Sequence, residues 1–363
     1  MAAPPEQPGQ RPTGSPPRIA QATLSVYQDH FFLGTSLKHD TIAQIRKSAR
    51  DRLLPFPINR TDAHTMTTID FNAQRLDHAK QIVSKIKLPA QPTIVIEINK
   101  EMRTEHPHFA RIANLVTQDA SISAKVINVI NSPFFGLASK CESIVKALTF
   151  MGLENFRKVV LTACLQDALG GGTATDKIFW DHSLHTAVAA ESLAKAMRGI
   201  LTSEDITPDM AYMAGLFHDC AIPMLLKRTP AYEAFTHAAL SHKRDIIQEE
   251  DALVGSDHCV VGGLLAKTWS LPEAVCKTII HHHTSNLTGQ GPVPTKLIAL
   301  LKVADYIAYT FGYSIGLMDR IIDNEWDPEE WSELNEGVLS ELHLGPDDLI
   351  DMKDNIFEQL SAQ

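Results

Sequence analysis

Paired cysteines are missing from this chain. Its five cysteines, at 141, 164, 220, 259 and 276, include no C-x-x-C pair, and their number is odd. A disulfide framework or a thiolate zinc site is therefore not expected, and a reducing compartment fits best. There is no run of 18 apolar residues, so a transmembrane helix is not expected. The first residues lack a basic stretch followed by an apolar one, which argues against a signal peptide and for a cytoplasmic protein. A basic excess is also missing: the net charge is −10. Duplex binding normally uses a net basic face, so nucleic acid is not an expected partner. The basic residues Arg46, Lys47 and Arg50 recur on one stretch but read as a solvated helix face. Alternating strand patterns are scarce as well. TIVIEI at 93–98 is the one β-like run, and it can equally open a helix.

What is present is helical periodicity. Residues 1–17 hold six of the 20 prolines and no large aliphatic residue after Met1, which predicts a disordered tail. Residues 18–84 form an N-terminal appended region, with a helix expected at 73–87. From Leu88 onward, Phe109, Ile112, Ala113 and Val116 keep the i, i+3, i+4, i+7 spacing of an amphipathic helix, as do Ile122, Val126, Ile127 and Ile130. Asn131-Ser132-Pro133 stops the second of these. A helix over about 153–169 runs into Gly170-Gly171-Gly172, a hinge between two helical lobes. Further helices are expected near 178–198, 208–219, 229–241, 244–253, 257–269, 272–283, 294–311, 328–342 and 346–361. The fold class is all-α, a multi-helix bundle in two lobes.

Sixteen histidines provide the candidate chemistry. His182 lies early in a helix, His218-Asp219 ends an apolar one, and His258 follows the capping pair Ser256-Asp257. His281, His282 and His283 end another helix. Asp305 sits among Val303, Ala304 and Ile307. A single histidine at a helix end is usually a cap or a surface residue. A carboxylate in an apolar helix is different, because burying it costs several kcal/mol unless it is paired or holds a metal. Imidazole and carboxylate together suit Mn, Fe, Zn or Ni, and a shared carboxylate suits two ions. Cys220 and Cys259 each adjoin a candidate ligand and read as small core residues. Lys38-His39-Asp40 reads as a solvated helix start, and Gly170–Gly172 lacks the flanks of a phosphate loop. Phe134-Phe135 could pack one lobe on the other, and Trp326 and Trp331 could anchor a partner.

In order along the chain stand LPAQPT (88–93), DASISAKVINVINSPFFG (119–136), FWDHSLHTAVAAESLAKA (179–196), MAGLFHDCAI (213–222), GSDHCVVGGLLAKTWSLPEAV (255–275) and KVADYIAYTFG (302–312). This series resembles the HDOD family, the regulatory branch of the HD superfamily related to the HD-GYP phosphodiesterases, over about 85–312. The resemblance implies lobes at about 85–170 and 173–312, followed by a C-terminal helical extension at 313–363. It implies that His182, His218, Asp219, His258, His282, His283 and Asp305 hold one or two divalent ions (Fe, Mn, Zn or Ni), with Asp219 bridging them. The chain departs from the HD-GYP enzymes in three ways. Cys220-Ala221-Ile222-Pro223 stands where those enzymes have a spacer and Gly-Lys. No Gly-Tyr-Pro follows the histidines, and Thr284 occupies a position usually held by Glu. Phosphoryl transfer needs positive charge close to the phosphate. The expected role is therefore a signalling module that binds a protein partner, with a metal or nucleotide as further ligands. The alternative is an active metal-dependent phosphohydrolase.

Overall fold

The computed structural model describes residues 81, 88–131, 137, 139–170, 174–199, 201, 206–229, 232, 246–284, 287–315, 331–332 and 335–361. All of these lie in the second of two units of the chain, Met66–Gln363. The expected tail, all but residue 81 of the appended region and its helix at 73–87, the Phe134-Phe135 loop, Trp326 and nearly all of the helix expected at 229–241 fall outside the described residues.

Among the described residues the regular structure is entirely helical: α1 (Thr93–Met102), α2 (Phe109–Thr117), α3 (Ala120–Ile130), α4 (Ile144–Leu169), α5 (Ala174–Ala196), α6 (Pro208–Phe217), α7 (Ile222–Arg228), α8 (Ile246–Val254), α9 (His258–Thr268), α10 (Glu273–His281), α11 (Pro292–Ser314), α12 (Glu336–Glu341) and α13 (Pro346–Ser361). The β-like run 93–98 forms a helix. Its buried residues Val95, Ile98 and Glu101 recur at intervals of three, so one face turns inward and the apparent alternation is not used. The starts follow local chemistry. Asp119, Ser143, Thr207 and Asp257 cap α3, α4, α6 and α9 by accepting the backbone N–H three residues on, which satisfies a donor the helix leaves open. Gly152, with φ +74°, breaks α4 internally, and Gly170, with φ +78°, ends it. The sequence pattern detected only the part of α4 beyond Gly152.

Helices α1–α4 pack on one another. A second group gathers around α11, the long apolar helix that packs against α5, α6 and α10, while α9 packs on α10. Helices α12 and α13 fold back on α11, and α13 also reaches α5. The C-terminal half of α4 joins the two groups. Lys158 Nζ donates to Glu191 Oε1 at 2.7 Å in a buried pair with α5, and the Thr162 and Tyr212 hydroxyls meet at 3.0 Å. Arg157 pairs with Asp209.

Helices α5 and α6 cross in backbone contact. A Cβ on Gly215 would lie 2.6 Å from Ala187 Cα and 2.8 Å from the Thr186 carbonyl carbon. Only glycine permits that approach, which brings the end of α6 beside the middle of α5. Gly215→Ala is therefore expected to push the two helices apart and destabilise the protein by about 1–3 kcal/mol. Chemical denaturation would measure this, and an unchanged midpoint would show that the crossing tolerates a methyl group.

Candidate metal centre

The crossing at Gly215 places His218 and Asp219, just past the end of α6, against α5. His182 of α5 and Asp305 of α11 meet there: His182 Nε2 lies 2.9 Å from Asp305 Oδ1, and His218 Nε2 lies 3.7 Å from the same oxygen. Asp219 faces two ways. Its Oδ2 is 3.2 Å from His218 Nε2, whereas its Oδ1 is 3.3 Å from His258 Nε2 and 3.4 Å from His282 Nε2. His258 comes from the first turn of α9 and His282 from the end of α10. His283 belongs to the same cluster, its donor atom within 4.8 Å of those of His258, Cys259 and His282. His281 stands outside these clusters. The side chains that sequence places on five separate segments thus converge in one buried volume. His182, His218, Asp219 and His258 show no exposed surface, His282 1% and Asp305 4%.

The imidazoles are held by their inner nitrogens. His218 Nδ1 lies 2.7 Å from the Gly215 carbonyl, and His282 Nδ1 lies 2.7 Å from the Ile279 carbonyl. A carbonyl can only accept, so each Nδ1 carries a proton, and Nε2 is the nitrogen that can present a lone pair once the ring is neutral. His258 is held by a carboxylate. Glu250, fully buried on α8, takes His258 Nδ1 at 2.8 Å and the His258 backbone N–H at 2.9 Å, and it also accepts the Tyr232 hydroxyl. Such outer partners fix the orientation and basicity of metal-binding imidazoles.

Several of the donor atoms lack a partner of hydrogen-bonding geometry. Both Asp219 oxygens, His218 Nε2 and both His182 ring nitrogens are buried in this state. Leaving a buried polar atom unmatched costs about 1–3 kcal/mol, and here several such atoms face one another. Imidazole lone pairs and carboxylate oxygens crowded together fit a divalent cation by geometry and by charge.

Charge in the metal-free cluster follows from these contacts. Burial opposes protonation of His218, but Asp219, aided by Asp305, outweighs it and carries His218 up to about 9. Burial likewise opposes ionisation of Asp219, and the imidazoles, His218 foremost, overcome it and hold the carboxyl well below its usual range. Burial drives His282 down to about 4. For His258, burial pulls downward while the Glu250 carboxylate, hydrogen-bonded to Nδ1, holds it well above its ordinary value. Burial keeps the Cys259 thiol protonated, at about 12.

Sequence reasoning missed Glu250, Tyr232 and the cluster role of Cys259. Glu250 left a trace, since it sits one helical turn from buried Ile246, on the inward face of α8. Tyr232 left none, because nothing in the sequence around it sets it apart from an ordinary core aromatic. Cys259 was read only as a core residue.

The HDOD domain model matches residues 88–285. The chain belongs to the HDOD family. An uncharacterised protein of Treponema pallidum (strain Nichols) is 26% identical over 223 residues, which is 59% of this chain and 41% of that protein. The uncharacterised protein YuxH of Bacillus subtilis (strain 168) is 24% identical over 153 residues, 42% of this chain and 37% of that protein. The chain thus spans about two fifths of the length of these curated relatives. Among solved structures, an HDOD domain protein of unknown function from Geobacter sulfurreducens aligns with TM-score 0.54 at 24% identity, covering 80% of this chain and 99% of that one. A candidate signal transduction protein from Marinobacter aquaeolei VT8 aligns with TM-score 0.56 at 19% identity, over 80% and 65% of the two chains. A candidate phosphohydrolase from Shewanella amazonensis SB2B aligns with TM-score 0.53 at 20%, over 78% and 97%. At these identities the likeness establishes the shared helical fold.

Removing Glu250 leaves His258 buried without its counter-charge. Glu250→Ala is expected to cost about 3–5 kcal/mol, as for one half of a buried ion pair. Glu250→Gln, which keeps an acceptor for Nδ1–H, should cost less. Denaturant titration of the metal-free proteins tests this order, and equal losses would refute the assigned role of the carboxylate charge.

Proposed function

We propose that this chain is a signalling module of the HDOD type, in which a buried metal centre sets the arrangement of the helices and a protein partner reads it. In this reading 85–312 is the working unit, with lobes at about 85–170 and 173–312, and 313–363 is a helical extension. His182, His218, Asp219, His258, His282, His283 and Asp305 would hold one or two divalent ions of Fe, Mn, Zn or Ni. When bound, such an ion would supply a strong local positive charge to these crowded oxygens and nitrogens. This chain's own residues then do the positioning: the Gly215 and Ile279 carbonyls and Glu250 aim the imidazoles, and Asp219 joins the two halves.

The observation that carries the regulatory reading is burial. A phosphoester must reach the metal to be cleaved, and six of the seven donor residues have almost no exposed surface, His283 being partly buried, so among the described residues they leave a bulky phosphodiester little approach. The segment after Asp219 agrees with this. Cys220 and Ala221 are fully buried and turn straight into α7, so no cation stands where HD-GYP enzymes place a lysine. Lys227, further along α7, is engaged with the Leu169 carbonyl. The described signal transduction role of the Marinobacter structure is in keeping with a protein partner, and a nucleotide is a second candidate ligand. Five buried free thiols suit a reducing, cytoplasmic setting. Among the described residues no helix is long and apolar enough to cross a membrane, and a net charge of −10 disfavours nucleic acid as the partner.

A second reading, an active metal-dependent phosphohydrolase, is favoured by the split contacts of Asp219, whose two oxygens face different imidazoles as a carboxylate shared by two ions would. One experiment separates the readings. Protein purified without chelators is expected to carry about one or more equivalents of Fe, Mn, Zn or Ni, and to turn over cyclic di-GMP and simple phosphoesters no faster than Asp219→Ala does. Robust hydrolysis abolished in Asp219→Ala would establish the enzyme instead, and failure to bind any of these metals would remove both readings.

A further inference from the structure

The donor atoms around Asp219 Oδ1 do not end with nitrogen and oxygen. Cys259 Sγ lies 3.5 Å from His258 Nε2 and 4.0 Å from His282 Nε2. Those two nitrogens are 3.4 Å apart, and Asp219 Oδ1 lies 3.3 and 3.4 Å from them. Donors arranged tetrahedrally at about 2.0–2.3 Å from a common ion stand about 3.3–3.8 Å from one another. Four of the five measured edges fall in that range, and the fifth exceeds it by a fraction of an ångström. The inner nitrogens of both rings are already committed, to Glu250 and to the Ile279 carbonyl, so the outer nitrogens are the ones turned toward the sulfur.

We propose that Cys259 is a metal ligand, and that together with His258, His282 and Asp219 it forms a mixed nitrogen, sulfur and oxygen position for zinc or ferrous iron. This deepens the metal-centre reading above and rests on it. The position is chemically distinct from the one formed by His182, His218 and Asp305, whose donors are imidazole and carboxylate alone. A thiolate is a soft donor and disfavours Mg and Mn. It also adds negative charge where a buried divalent ion needs it, the proton that burial holds on the Cys259 thiol leaving to solvent as the metal binds. The centre is therefore asymmetric, with one harder and one softer position sharing the Asp219 carboxylate. The absence of any C-x-x-C spacing conceals this site, because the sulfur ligand neighbours a histidine instead of another cysteine.

Cobalt(II) titration of the full chain tests the assignment. Bound cobalt is expected to show a thiolate-to-cobalt charge-transfer band in the near ultraviolet. That band should be lost in Cys259→Ser and Cys259→Ala and kept in Cys276→Ser, with far-ultraviolet circular dichroism reporting the fold of each. Excess magnesium should leave the band in place. Cobalt binding to the wild-type chain without the band, or a band that persists in folded Cys259→Ser, would overturn the sulfur ligand while leaving the metal centre standing. If wild-type protein binds no cobalt at all, the metal-centre reading fails and this proposal fails with it.

Discussion

The structure depends on one buried carboxylate. Asp219 has no exposed surface, and moving such a charge out of water carries a penalty of several kcal/mol that only close opposite charge or good donors can offset. Among the described residues its ion pairs include no lysine or arginine. Instead, imidazoles from the ends of α6, α9 and α10 surround it at 3.2–3.4 Å. Much of the surrounding architecture can be read as the means of bringing those imidazoles to one point. Gly215 lets α6 lie on α5, Asp257 caps α9 so that His258 begins it, and the apolar length of α11 carries Asp305 into the same volume.

The next layer out fixes which face each ring presents. Backbone carbonyls hold His218 and His282, and a buried glutamate holds His258. The difference matters physically. A carbonyl selects a tautomer without changing net charge, whereas Glu250 adds a full negative charge and makes its imidazole more basic. The cluster is therefore electrostatically uneven before any ion arrives, and the more strongly polarised ring is the one beside the Cys259 sulfur.

Much of this was legible in the sequence. The helical periodicity of 109–116 and 122–130 marked α2 and α3, and the odd placement of Asp305 among Val and Ala identified it as a residue in need of a partner. The convergence of His182, His218-Asp219 and His258 followed from family resemblance, since no spacing rule links residues so far apart. What the sequence concealed has specific causes. TIVIEI carries enough β-branched residues to look extended, but packing of one face of α1 against α2 and α4 decides in favour of helix. The first part of α4 was missed because Gly152 breaks the periodicity while the chain resumes its helix on the other side. Glu250 looked like one of several acidic residues in IIQEEDALV, and only its inward register distinguishes it. Cys259 could not be separated from an ordinary core thiol without knowing which way the two imidazoles point.

Burial also limits the chemistry open to such a centre. Catalysis at a metal requires an exchangeable position and a route for substrate. A site enclosed by five helices gains the opposite property: its electrostatic interactions are strong because water is excluded, and they act on the helices themselves. His182 and Asp305 link α5 to α11, and His258 and His282 link α9 to α10. Asp219 faces the second pair directly, and His218, beside it, faces Asp305 of the first. The indole of Trp269, at the end of α9, packs on Phe217 beside the His218-Asp219 turn and donates to the Pro89 carbonyl at 2.9 Å. The same turn that holds the carboxylate is thus in mechanical contact with the segment leading into α1, where the other helical group begins. A change in what Asp219 binds would be felt first as a change in how these packed elements meet.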